Sequence, residues 1–194
     1  MSFSPYLWTG RSQNLRPGRP TTRFVVPGCV FRGNSVTNFS ANTIIYTPLY
    51  TQVPLVIDQL QAKIDTSGSD NFRMGFYAAD PFNGQPVGPA LADSGSISKA
   101  TAGVKTYTPA TPIYVPPGLY LSAINCDVQA GLFQYHYGGF QTTFPLTSLN
   151  TNAGAWFSGS QTYGAFPNPG TQWTGMSTSS QYSIHFIIYR VKST

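Results

Sequence analysis

The chain contains no glutamate, and its six acidic residues are all aspartates: Asp58, Asp65, Asp70, Asp80, Asp93 and Asp127. Charged residues of both signs amount to 9%, against roughly 25% in ordinary soluble domains. Glutamate is a good helix former, so its absence beside 19 Gly and 16 Pro argues against helix almost throughout. Polar surface must come from Thr, Ser, Asn and Gln. Cysteine is scarce too. Cys29 and Cys126 cannot by themselves build a structural zinc site. Cys126 lies in a strand-like run and reads as a buried thiol; a Cys29–Cys126 bridge stays open. No apolar run approaches membrane-spanning length and no opening stretch has signal-peptide form. The expectation is a soluble chain that begins at its own Met and inserts into no membrane.

Catalytic signatures are missing as well. There is no G-x-S-x-G elbow, P-loop or G-x-G-x-x-G. The two histidines, His136 and His185, fall in strand patterns and read as structural. The aspartates show no calcium-loop spacing. Asp80 and Asp93 are the conceivable carboxylate pair of a glycosidase, but aspartate at loops and strand ends is first a turn former. The chain therefore reads as a non-enzyme without metal or cofactor.

What is present is aromatic residues, at 14%, and a lopsided charge distribution. The net charge is +5. Residues 1–57 hold Arg11, Arg16, Arg19, Arg23 and Arg32 with no acid, whereas residues 58–194 are balanced. Residues 1–34 are broken by Pro5, Pro17, Pro20 and Pro27 and read as an extended arm. Tyr6, Trp8 and Phe24 are too apolar to hang in water. With Arg11, Arg16, Arg19 and Arg23 they are the candidate attachment residues, packing on a partner protein or on the chain's own domain. Five dispersed arginines are too few for a nucleic-acid arm, so nucleic acid is not the expected partner.

From residue 43 the pattern alternates with period two. Strands are expected at 43–50, 56–65, 72–79, 90–99, 118–126, 132–137 and 182–191, with a Pro-interrupted edge segment at 104–115. Val56, Leu60, Ala62 and Ile64 form the apolar face of the second. Phe72, Met74 and Phe76 form that of the third, where Gly75 marks a bulge. Leu91 and Ile97 are the anchors of the fourth. Leu119, Leu121 and Ala123 point inward against Tyr120 and Ser122, and Ile184, Phe186 and Ile188 share a face of the closing strand. About eight antiparallel strands over residues 35–194 indicate a β sandwich of jelly-roll type.

Residues 138–181 carry no charge but seven aromatic rings, and are too long for an idle loop. Trp156, Phe157, Tyr163, Phe166 and Trp173 are expected in loops at an exposed end or at a subunit seam, with residues 80–89 as a second loop. An uncharged, hydroxyl-rich loop with aromatic faces suits a neutral glycan.

The run Phe72-Arg-Met-Gly-Phe-Tyr-Ala-Ala-Asp80, then Gly84-Gln-Pro-Val-Gly-Pro89, then Leu91-Ala-Asp-Ser-Gly95, followed by Pro117-Gly-Leu-Tyr-Leu-Ser122, resembles domains of bacteriophage fibres and virion surfaces. The resemblance covers residues 40–137 and the closing strand. It implies a homotrimeric jelly-roll knob on the virion surface, made in the host cytoplasm. Residues 1–34 would join it to capsid or tail proteins, and a host cell-surface glycan would be its ligand. No repetitive shaft or heptad precedes the domain, which suits a knob seated close to its platform. The other readings are a decoration or cement protein of the head without receptor binding, the capsid protein of a small virus, and a glycan-cleaving enzyme.

Overall fold

The computed structural model describes residues 22–25, 31–37, 39–51, 54–128, 132–138, 154–178, 183–185 and 187–192. Among them there is no helix. The strands are β1 (Thr22–Val25), β2 (Phe31–Thr37), β3 (Thr43–Thr51), β4 (Leu55–Thr66), β5 (Asn71–Ala79), β6 (Pro86–Asp93), β7 (Ile97–Ser98) and β8 (Gly103–Tyr107). They continue with β9 (Ile113–Val115), β10 (Gly118–Cys126), β11 (Leu132–Gly138), β12 (Gly154–Ser160), β13 (Gly175–Thr178), β14 (Ser183–His185) and β15 (Ile188–Lys192). Among the described residues the expected eight become fifteen: the span read as an arm contributes β1 and β2, the uncharged stretch contributes β12 and β13, and the runs 90–99, 104–115 and 182–191 each divide in two.

All pairings are antiparallel and they form two sheets. The first runs β1-β15-β4-β11-β14, with β2 on β11 and β8 and β9 on β4; the second runs β13-β12-β3-β10-β5-β6, with β7 on β5. Between them lies the main core, which includes Ile45, Leu49, Ile57, Leu60, Ile64, Phe72, Met74, Phe76, Ile124 and Tyr189. The chain is an all-β antiparallel sandwich, as its composition predicts. Residues 104–115 become the edge strands β8 and β9, both paired to β4. The closing strand β15 pairs with the early strands β1 and β4.

Several inward faces differ from the simple alternation. On β4 the buried residues are Ile57, Leu60, Ala62 and Ile64, while Val56 is half-buried. The register steps from Arg190↔Gln59 to Val191↔Ile57, which leaves Asp58 unmatched. That extra residue is a bulge and shifts the phase of alternation. Asp58 is itself buried, and Arg190 meets it with two parallel bonds, Nε to Oδ1 at 2.8 Å and Nη2 to Oδ2 at 3.0 Å. The fork geometry suits a carboxylate.

At the C-terminus residues 182–191 divide into β14 and β15, and the buried residues are Ile187, Tyr189 and Val191. The expected face of Ile184, Phe186 and Ile188 lies outside the described side chains. On β6, Leu91 is exposed and Ala92 is buried. Here the register jumps from Phe76↔Ala92 to Ala78↔Val87, so residues 88–91 stand opposite Tyr77 alone. Gly88, at φ 65°, supplies the left-handed turn in that bulge.

The phase shift at Asp58 has a measurable signature. Ile57→Ala should cost about 3 kcal/mol, as for a fully buried aliphatic, and Val56→Ala about 1 kcal/mol or less. Urea unfolding of the two variants checks this. Equal losses, or the reverse order, would show that β4 alternates without a bulge.

Candidate functional site

Phe157, Phe166 and Trp173, three of the five aromatics singled out in the uncharged stretch, come together on the outer face of the second sheet. Strand β5 explains why. Alternation sends Phe72, Met74 and Phe76 into the main core, and Tyr77 and Ala79 to the opposite side. On β10, Tyr120, Ile124 and Cys126 face the main core, while Leu121 and Ala123 face outward. Every residue from 120 to 126 is nevertheless buried. Tyr120 and Ser122, set against the inward residues in the sequence reading, are thus buried as well, because the sheet is covered on both sides. The outer cluster comprises Ile44, Tyr46, Tyr77, Ala79, Leu121, Ala123, Phe157 and Phe166, with Ala90, Leu119 and Trp173 packed against it.

Its cover is the segment 161–174, between β12 and β13. Phe157, expected in a loop, is on strand β12 and is buried. Its ring stacks on Trp173 with centroids 4.6 Å apart. Phe166 meets Tyr77 edge-on at 6.0 Å, and Tyr77 meets Tyr46 at 6.1 Å. Such pairs contribute on the order of 1 kcal/mol each beyond area burial. Tyr163, half-buried, donates its hydroxyl to Ser96 Oγ at 2.7 Å. Trp156 lies on β12, and its side chain is outside the described residues.

Two strand glycines let the cover lie flat. A Cβ on Gly75 would collide with Cε2 of Phe166, and one on Gly159 would stand 2.7 Å from the carbonyl oxygen of Gln172. Gly75 therefore serves close approach of a ring, a reason beyond the bulge read from sequence.

Polar bonds clamp the cover at several points. Tyr46 donates its hydroxyl to Thr171 O at 2.9 Å, and Tyr77 donates to Pro167 O at 3.1 Å. Burial pushes both phenols well above their ordinary value of 10.0; each is raised further by a neighbour, Tyr46 by Tyr77 and Tyr77 by Asp93. Asp93 binds three partners: Arg73 Nε at 3.1 Å, the Gly95 amide at 2.9 Å and the Phe166 amide at 3.1 Å. One carboxylate thus joins β5, the end of β6 and the cover.

The loop of residues 80–89 meets the same cover. Gln85 and Trp173 exchange two bonds: the Trp173 amide donates to Gln85 Oε1 at 3.0 Å, and Gln85 Nε2 donates to Trp173 O at 3.1 Å. The Trp173 indole donates to Gly84 O at 3.1 Å. The turn is tied internally. Asp80 Oδ1 accepts the Phe82 amide at 2.7 Å, Asp80 O accepts the Gly84 amide at 2.8 Å, and Asn83 Oδ1 accepts the Gln85 amide at 2.8 Å. Two of these are side-chain turn bonds and one is a backbone bond, and together they hold Phe82 at the hairpin tip with 86% of its surface exposed. Asp80 and Asp93, the conceivable carboxylate pair, both bind backbone amides.

An apolar stripe that the sequence reading missed continues from that tip. Val87, Pro89 and Leu91 are exposed along β6, the end strand of its sheet. The signal was present as apolar residues spaced by two, but Leu91 was placed inward.

Of the attachment residues, Arg23 and Phe24 lie on β1, which pairs with β15. Tyr6, Trp8, Arg11, Arg16 and Arg19 are outside the described residues. Within the span assigned to the arm, β1 and the start of β2 belong to the first sheet, since β2 pairs with β11. Cys126 is a free thiol, 1% exposed, and burial pushes it up to about 12; Cys29 is outside the described residues. Among the described residues no three His, Cys, Asp or Glu side chains group together. Comparison of the chain with known protein families and with curated proteins finds no match.

Two outcomes follow from the cover. Gly75→Ala should cost about 2 kcal/mol by displacing the Phe166 ring, and Phe166→Ala about 3 kcal/mol. With Phe166 already truncated, adding Gly75→Ala should cost almost nothing. Strict additivity in urea unfolding would mean that the ring does not rest on Gly75.

The tyrosines give a pH dependence. Their folded-state values are raised, so the stabilisation is complete below the unfolded value of 10.0 and declines as pH rises beyond it. Alkaline titration should show phenolate absorbance from Tyr46 and Tyr77 appearing together with unfolding. In Tyr46→Phe/Tyr77→Phe the decline above pH 10 should be shallower.

Proposed function

We propose that this chain is a structural knob on the surface of a bacteriophage particle, assembled as a homotrimer of jelly-roll type and seated through its N-terminal segment. The observation that carries the reading is the row of exposed Val87, Pro89 and Leu91 on the end strand β6, with exposed Phe82 in the turn before it. A monomer rarely leaves such a row on a sheet edge, and closed rotational symmetry is the usual way to cover one. The residues that carry the resemblance to virion-surface domains form β5, β6, their connecting turn and β10, so they coincide with this hairpin and its neighbour.

The basic segment before Thr22 leads into β1, an outer strand of the other sheet. That arrangement supports a tether at one sheet and a subunit seam at the other. Phe157, Phe166 and Trp173 are used within the chain, which favours a head-decoration role over glycan binding by those rings. Host-glycan binding, if it belongs to this protein, falls to the hairpin tip.

Removing residues 1–21, which leaves β1 intact, should give a folded trimer that no longer joins the particle in a complementation assay. Normal incorporation of the truncated protein would refute the tether. Sedimentation of the full chain at micromolar concentration should show a trimer, and Val87→Asp/Leu91→Asp should shift it to monomer. A wild-type monomer would refute the seam.

A further inference from the structure

Asp70 and Lys99 face each other where β5 begins and β7 ends. Asn71 pairs with Ser98, and one step along the ladder the Lys99 amide donates to Asp70 O at 2.9 Å. The two residues are therefore direct cross-strand neighbours. Both side chains turn inward, with Lys99 1% and Asp70 2% exposed. Lys99 Nζ is in contact with Asp70 Oδ2. Apart from that ammonium, neither carboxylate oxygen of Asp70 has a hydrogen-bond donor among the described residues.

This is unlike the other two ion pairs among the described residues. Asp58 receives the fork of Arg190, and Asp93 receives Arg73 with two backbone amides. Buried ion pairs persist where additional bonds satisfy the remaining lone pairs, and Asp70 lacks them. Phe72 and Ile97, each two residues along the strand from Asp70 and Lys99, belong to or pack against the main core, as does Cys126. An apolar enclosure favours neutral groups over charged ones.

We propose that Asp70 and Lys99 are joined by an intramolecular isopeptide bond. One proton passes from the Lys99 ammonium to the Asp70 carboxylate within the pair, and Nζ then attacks Cγ. The Nζ–Cγ bond forms, the Cγ–OH bond breaks, and the hydroxyl leaves as water with a proton from the amine. Carboxylic acid and amine thus become amide and water, with no change of oxidation state. Two charges disappear from the interior. The bond ties together the two ends of the segment that holds β5, β6 and β7, and so fixes the base of the hairpin that displays Phe82. Unlike a disulfide it is indifferent to reductants, which suits a chain with only two cysteines.

Intact-mass measurement of the purified, unfolded full chain tests this directly. The expected mass is one water below that of the sequence, with the full sequence mass restored in Lys99→Arg and in Asp70→Ala. Trypsin should leave residues 64–73 joined to residues 74–105 as a branched peptide, because a modified Lys99 is not cleaved. A wild-type chain of full mass overturns the proposal. So does a water loss accompanied by a free peptide 74–99, which would place the lost water elsewhere.

Discussion

A strand that is apolar on both faces needs two covers. On β5 the alternation gives Phe72, Met74 and Phe76 to one side and Tyr77 and Ala79 to the other. The first set is satisfied by the opposing sheet. The second would lie open to water but for residues 161–174, and much of the molecule's unusual composition serves that contact. Gly75 and Gly159 admit the cover, Tyr46 and Tyr77 hold its backbone, and Asp93 links it to two strands. The resulting layers are sheet, core, sheet, second core and cover.

The scarcity of charge has a counterpart in these bonds. With few ions available, the surface layer is fixed by amides, hydroxyls and backbone carbonyls: Gln85 with Trp173, Thr171 Oγ1 with Gln161 Oε1 at 2.8 Å, and Gln172 Nε2 with Pro86 O at 3.2 Å. Neutral bonds of this kind contribute roughly 1 kcal/mol each. They also depend little on ionic strength, because screening acts on charges. The few ion pairs among the described residues are embedded in the sheets, at Asp58, Asp70 and Asp93.

The all-β class was legible because it follows from composition and period, which are local properties. Strand positions followed too, as β5, β8, β9 and β10 show. The faces were less legible. On β4 a single unmatched residue, Asp58, reverses which neighbours point inward, and nothing in the pattern Val-Ile-Asp-Gln-Leu marks it. On β10 the sequence offered Leu119, Leu121 and Ala123 as the inner set, whereas they face the second core. Alternation identifies two faces but not which of them meets the other sheet. The aromatics of the uncharged stretch were found by composition, yet their use depends on contacts with β3, β5 and β12 that are remote along the chain. The stripe on β6 was hidden by the bulge opposite Tyr77.

The cover also has a consequence in time. Its partners on β3, β5, β6 and the 80–85 turn are all made long before it, and these bonds join residues 73 to 125 positions apart in the chain. Contacts of such long span form slowly, because chain closure must precede them. During synthesis the outer face of β3, β5 and β10, with Tyr46 and Tyr77, is therefore made long before its cover. The newly made protein passes through a stage with a sticky, unpaired surface, when chaperone binding or misassembly competes with folding. The arrival of residues 161–174 ends that vulnerable interval.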